Sequence, residues 1–196
     1  MAIGDIIVGM DIGTSKVSMV IGEVNNFNQI EVIYTDSQKC SGIKKGKIID
    51  EDEIVLAVTK LIKNAEIDAN LTINSTYITI PGKYVTIVQN SIVKEAKDRY
   101  AGISMKDVSS SIMQVSDIDI PEGKQIIDIV TDRFILENGK IVQDPVGSLS
   151  SSFTLKAQIA LADKDYVKKI TNILKGATKS VASFVLCFQA MKNAER

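Results

Sequence analysis

The sequence predicts an α/β fold interrupted by an inserted α+β block, and three observations carry that prediction. Residues 1–82 read as strand–strand–strand–helix–strand, the pattern of a sheet with one crossover helix. The pattern changes after Pro81-Gly82, where strands and one short helix follow without that alternation. Near residue 163 the helix-then-strand pattern returns. The expected organisation is a first segment 1–82, an insert 83–162, and a return 163–196 that stops inside a helix.

"DIIVGMDI" is a mostly apolar strand, "KVSMVIGEV" a second, and Asn25, Asn26 and Asn28 supply turn chemistry before a third, "QIEVIYTDSQ". Short joints between these runs predict an antiparallel meander. Asp50 followed by Glu53 has capping-box spacing, in which each side chain answers an orphan N–H of a helix's first turn. Ile54, Val58, Leu61, Ile62 and Ala65 then recur at helical spacing, and "STYITIP" supplies the strand that the helix crosses to reach.

In the insert, "KYVTIVQNSIVKE" reads as a strand. Ser104 is placed to cap a helix with a narrow apolar stripe of Val108, Ile112 and Val115, which marks it as interface-prone. The Ser109-Ser110-Ser111 run lowers helix propensity without marking chemistry. "KQIIDIVTDRFILENGKIV" predicts two strands joined by a two-residue Asn138-Gly139 turn, and "SSFTLKAQIALA" another strand. The return carries a helix capped by Asp163 with Tyr166, Val167, Ile170, Ile173 and Leu174 inward, then the strand "SVASFVLC" and the start of a helix in "FQAMKNAER".

Composition excludes several function classes. Lys and Arg number 23 against 24 Asp and Glu, for a formal net charge of −1, and no basic stripe occurs, so a nucleic-acid binder is not expected. The chain has no histidine, which removes Ser-His and Cys-His catalysis and leaves too few ligands for zinc. Cys40 and Cys187 lack CxxC spacing and read as reduced packing residues of a cytosolic protein. The N-terminus has no basic region before its apolar run, and no run reaches the roughly 18–20 apolar residues that span a bilayer. The acidic run Asp50–Glu53 suits a helix N-terminus, Asp117 and Asp119 suit a solvated loop, and "GIKKGK" a solvated turn.

The chemistry-bearing stretch is "GMDIGTSKVSMVIGEV". Phosphate binding needs converging backbone N–H groups, a cation, and a carboxylate for hydrated Mg²⁺. Asp11 ends the first strand, Gly13 allows close backbone approach, Thr14 and Ser15 offer N–H and hydroxyl donors, and Lys16 offers a mobile positive charge. Like charge argues against Asp11 touching phosphate itself and favours a metal-bridged role. GxxxxGK[ST] and GxGxxG are both absent. The same residues also serve as an ordinary hairpin turn, so spacing alone leaves both readings open.

"VGMDIGTSKVSMVIGEV" resembles the first phosphate-binding hairpin of the actin/Hsp70/sugar-kinase superfamily, and more closely that of the FtsA family of bacterial cell-division actin homologues. "SGIKKGKIIDEDEIVLAV", "STYITIPGKYVTIVQNS" and "ENGKIVQDPVGSLSSSFTLKAQIALA" follow that family's order of segments. The resemblance implies an actin/Hsp70-like (ribonuclease H-like) subdomain 1A carrying an inserted α+β subdomain, 1C. It implies ATP and Mg as ligands. Asp11 would hold Mg²⁺ through water, Gly13, Thr14 and Ser15 would present N–H groups to the β/γ-phosphates, and Lys16 would neutralise charge. It implies a filament-forming protein that tethers the FtsZ ring to the membrane through a C-terminal helix and recruits other divisome proteins to the septum during the cell cycle. Block 83–162 would be the surface for self-association and partners, and the setting the cytoplasmic face of the division site.

The sequence departs from the family pattern. No DxGxxT segment follows residue 16, and the adenosine-binding glycine segment and the membrane helix have no counterpart. "KQIIDIVTDRF" stands where a His-containing stretch is expected. The expectation is half of an ATP cleft with weak or absent nucleotide binding and no catalytic residue in this chain. The alternative is a self-sufficient ATP-hydrolysing enzyme.

Overall fold

The computed structural model describes residues 2–98 and 100–186. Its elements begin with β1 (Ile6–Ile12), β2 (Lys16–Val24), β3 (Ile30–Lys39), β4 (Ile43–Lys44), β5 (Lys47–Ile48), α1 (Glu51–Asp68) and β6 (Ser75–Ile80). A one-turn 3₁₀ segment, Gly82–Tyr84, leads into β7 (Val85–Glu95), α2 (Met105–Val115), β8 (Lys124–Leu136), β9 (Ile141–Val142) and β10 (Ser152–Asp163). Last come α3 (Lys164–Gly176) and β11 (Ser180–Leu186). Two compact units result: Met1–Tyr84 with the segment from Asp165 onward, and Val85–Lys164. Cys187 and the helix expected in "FQAMKNAER" lie outside the described residues.

In the first unit, β1, β2 and β3 form the antiparallel meander, and β6 and β11 join in parallel to give the order β11-β6-β1-β2-β3. The register explains the alternating pattern. Val8 faces Ile21, Met10 faces Met19 and Ile12 faces Val17, so buried side chains of both strands share one face. Onto it α1 lays Ile54, Ala57, Val58, Leu61, Ile62 and Ala65, all buried. The five inward residues expected of α3 are buried too. A Cβ on Gly176 would sit 3.0 Å from a Val55 methyl, so α3 ends tight against α1.

The α1 cap corrects one expectation. The Asp50 carboxylate accepts from the Glu53 N–H at 3.0 Å, but Glu53 does not return the bond. The Asp50 N–H instead donates to the Gly42 carbonyl at 3.2 Å. That frees the Glu53 carboxylate to accept from the Ser41 N–H at 2.7 Å and the Ser41 hydroxyl at 2.5 Å. "GIKKGK" is the expected turn, with Lys44, Lys45 and Lys47 exposed, and it is built as a hairpin. Lys45 and Gly46 both have positive φ, the conformation of a tight two-residue turn between β4 and β5. The Tyr84 hydroxyl donates to the Gly46 carbonyl at 2.7 Å, and the Lys83 ammonium donates to the Lys45 carbonyl at 3.2 Å. Tyr84 also stacks on Tyr166, ring centroids 3.9 Å apart.

The second unit is an all-antiparallel sheet in the order β7-β10-β8-β9, covered by α2. Its core gathers Ile103, Val115, Leu155, Phe134 and Phe153, the last two edge-to-face at 5.8 Å. Here the capping box closes: the Asp107 N–H bonds the Ser104 hydroxyl, and the Asp107 carboxylate accepts from the Ser104 N–H at 3.0 Å. These bonds hold the Asp107 carboxyl below its usual range, with the Ser104 hydroxyl the largest cause. Ser111 is buried and its hydroxyl donates to the Val108 carbonyl at 2.7 Å. Val115 of the predicted stripe is buried, while Val108 and Ile112 are partly buried. The turn after β8 corrects a second expectation. The Leu136 N–H donates to the Lys140 carbonyl and the Gly139 N–H to the Leu136 carbonyl, so the loop is Glu137-Asn138-Gly139. Only Gly139 takes positive φ, whereas a two-residue turn of the expected type needs it at both positions.

Candidate functional site

The β1–β2 hairpin places the sequence-predicted residues at one end of the first sheet. Its loop starts where the Gly13 N–H donates to the Lys16 carbonyl at 3.0 Å. A Cβ on Gly13 would stand 3.1 Å from that oxygen and 3.4 Å from the Asp11 Oδ2, so glycine lets the turn close beneath the carboxylate. Thr14 and Ser15 are exposed at the tip, and among the described residues their N–H groups donate to no protein acceptor. The Ser15 carbonyl accepts from the Cys40 N–H at 3.1 Å, which lashes the tip to the continuation of β3.

Asp11 is exposed, paired across the ladder with Ser18. Its Oδ1 accepts a hydrogen bond from the Thr79 hydroxyl of the parallel neighbour β6. That bond orients the carboxylate and leaves Oδ2 free for a hydrated cation. Among the described residues no group of three or more His, Cys, Asp or Glu side chains converges, so Asp11 offers a lone carboxylate. A lone carboxylate suits a magnesium ion that keeps most of its water.

Lys16 stands directly opposite Lys39 in the β2–β3 ladder. Beside the tip lies a cavity of about 660 Å³, lined among others by Thr14, Ser15, Lys39, Ser41, Lys44 and Glu53. Cys40 is a buried free thiol in the same wall, and burial pushes its pKa up, so it is a packing group rather than a thiolate. Sequence reading singled out Asp11, Gly13, Thr14, Ser15 and Lys16 but missed Thr79 and Lys39. The signal for Thr79 was its outward phase in "STYITI", usable only once β6 is set parallel to β1.

The amides, carboxylate and cation of the hairpin therefore fit a phosphate chain with Mg²⁺, which when bound would supply charge neutralisation between phosphates. Thr14 and Ser15 would give N–H donors, Lys16 an ammonium, and Asp11 an acceptor for metal-bound water. The Gly13 N–H, expected as a third donor, is taken by the Lys16 carbonyl, and Gly13 serves the close approach instead.

These features define a class: a mixed α/β sheet unit with an inserted α+β subdomain. The fold matches the PilM–PilN type IV pilus biogenesis complex at a TM-score of 0.60 and 12% identity, over 92% of this chain and 47% of that one. A family model described as the SHS2 domain inserted in FtsA covers residues 82–161. The cell division protein FtsA of Pseudomonas aeruginosa is 26% identical over 156 residues, 80% of this chain and 36% of that protein. FtsA of Bacillus subtilis is 21% identical over 187 residues, 95% of this chain and 42% of that protein. FtsA of Escherichia coli K12 is 23% identical over 172 residues, 87% and 40% respectively. The chain matches the FtsA family of bacterial cell-division proteins, and it spans about two-fifths of the length of these relatives.

Proposed function

We infer that this chain supplies one wall of an ATP cleft and the interaction subdomain of an FtsA-type division protein. The hairpin carries the first half of the reading: two tip amides without protein acceptors, flanked by Lys16 and by an Asp11 carboxylate already oriented by Thr79. The Thr14 and Ser15 amides and the Lys16 ammonium bind the phosphates, Gly13 lets the backbone approach closely, and Asp11 holds Mg²⁺ through water. The family match over 82–161 supports the second half, in which that block mediates self-association and recruitment of divisome partners. FtsZ tethering, filament formation and a place on the inner membrane face belong to this reading of the whole protein. Among the described residues no helix is long and apolar enough to cross a membrane.

One wall does not enclose a nucleotide, and pre-organised catalysis needs an enclosed site. The chain by itself therefore binds Mg-ATP only weakly and does not turn it over. Titration calorimetry tests this directly: micromolar affinity for Mg-ATP would sink it. The assembly half is tested in the full-length protein by deleting the block 83–162 and measuring sedimentation and partner recruitment. Unchanged self-association and recruitment would refute it.

A further inference from the structure

We propose that Lys39, with Lys44 beside it, is a second phosphate-binding cation. Lys39 and Lys16 form a two-lysine clamp that selects longer phosphate chains over shorter ones. The proposal rests on the reading of the hairpin as a phosphate site and adds residues that reading does not contain. Three observations carry it.

The first is a like-charge pair built by a structural irregularity. From Val24↔Ile30 to Gly22↔Val32 the β2–β3 ladder runs in one register, then a bulge between Ile21 and Gly22 shifts it by one. Without that shift Gln38 would face Lys16; with it Lys39 does. Like charges directly opposite on a sheet repel, so this rung costs stability until an anion lies between them. The second is the lack of internal compensation. Among the described residues none of Lys16, Lys39 and Lys44 forms a salt bridge. Glu53, the one carboxylate lining the adjoining cavity, accepts from the Ser41 N–H and hydroxyl instead. The third is placement. Lys39 and Lys44 line a cavity of about 660 Å³ whose wall includes Thr14 and Ser15, the residues with free tip amides. Cations and N–H donors without protein partners thus meet at one hairpin end, the donor set that a polyphosphate recognises.

The ligand class is a linear polyphosphate chain, the triphosphate of a nucleotide being one source. The probe is inorganic tripolyphosphate in metal-free buffer, against pyrophosphate and against sulfate at matched ionic strength. Binding to the 196-residue chain is read by amide chemical shifts and melting temperature. Tripolyphosphate is expected to raise the melting temperature of the unmodified chain, pyrophosphate less, and sulfate not at all. Lys39→Gln weakens tripolyphosphate binding about tenfold, the loss of one charge-assisted hydrogen bond, and Lys39→Arg retains it. Without anion, Lys39→Gln melts slightly above the unmodified chain because the repulsion with Lys16 is gone, which also shows that the variant folds.

If Lys16→Gln abolishes binding and Lys39→Gln does not, the clamp is wrong and the hairpin reading stands. If both lysines matter equally for sulfate, the rung is a general anion contact and the proposal is overturned. Loss on Lys39→Gln with none on Lys16→Gln would overturn the clamp and the hairpin assignment together. No response of the unmodified chain to tripolyphosphate overturns the clamp.

Discussion

The two helix caps, one in each unit, start from similar sequence and end differently. In the insert, Ser104 and Asp107 each answer the other's N–H, and the box closes. In the first unit, Asp50 caps alone, because Gly42 takes the reciprocal N–H and Glu53 reaches across to Ser41. The closed box fixes the helix end, and its Asp107 carboxylate also takes a bond from the Lys97 backbone. The open one uses the helix's third residue to hold the loop that walls the cavity beside the hairpin. In α1 the reciprocal bond has been exchanged for a tether near the candidate site, whereas in α2 the reciprocal bond is kept.

The largest effect that would break this contrast is at Gly42. A Cβ there would lie 2.5 Å from the Asp50 carbonyl and 2.6 Å from an Ile54 side-chain carbon. Gly42→Ala should destabilise the first unit by about 2–3 kcal/mol, measured by urea unfolding. A cost near zero would mean that the loop yields and Gly42 does not hold the open cap. Next is Asp107→Ala, expected to cost α2 about 1–2 kcal/mol, read as faster amide exchange along that helix alone.

The same group has a pH signature. Its folded pKa is depressed, chiefly by the Ser104 hydroxyl and then the Ser104 N–H. Its contribution is present above the unfolded carboxylate value and lost as pH falls through the lower folded value, from about pH 4 downward. In Asp107→Asn, α2 protection should no longer depend on pH in that window; a persisting slope there would assign it to other carboxylates.

Buried hydroxyls extend the comparison. Ser111 in the insert is bonded, while the Thr76 hydroxyl, fully buried in β6, has no partner among the described residues. Thr76→Val should stabilise the first unit by about 1 kcal/mol, and a lowered denaturation midpoint would show that the hydroxyl is satisfied in solution. The smallest effect is Glu53→Gln. At this half-buried position the cost should be about 0.5 kcal/mol, with the main change a faster exchange of the Ser41 amide. Unchanged exchange at Ser41 would remove the tether from the account.

Much of the fold was legible because it is written in short-range pattern. The meander follows from alternation and turn residues, and α1 and α3 from stripes whose inward members are all buried. The hairpin was legible for the same reason, since Asp11 to Lys16 are contiguous. What stayed hidden is non-local or hinges on one residue of register. Thr79 meets Asp11 only across a parallel ladder 68 residues away in sequence. Lys39 meets Lys16 only because of a bulge that no local pattern announces. Asn138-Gly139 was read as a two-residue turn, yet the glycine serves a three-residue loop, because one left-handed position and two in succession look alike in sequence. Glu53 had two competing acceptor roles, and only the folded path of residues 41–50 decides between them.

The stack of Tyr84 on Tyr166 has a consequence for how such a chain can be rebuilt. Tyr84 is the last residue before the chain enters the insert, and Tyr166 follows just after it returns. On the insert side, Val85 pairs with Ala162. Each unit thus holds its own two chain ends together, by the Tyr84–Tyr166 stack in one and the Val85–Ala162 pair in the other. Eighty residues can therefore hang from a gap that a short turn could close, with little loop-closure entropy at stake. The seam is a socket, and whatever is plugged into it can vary while the sheet that carries the hairpin keeps its register.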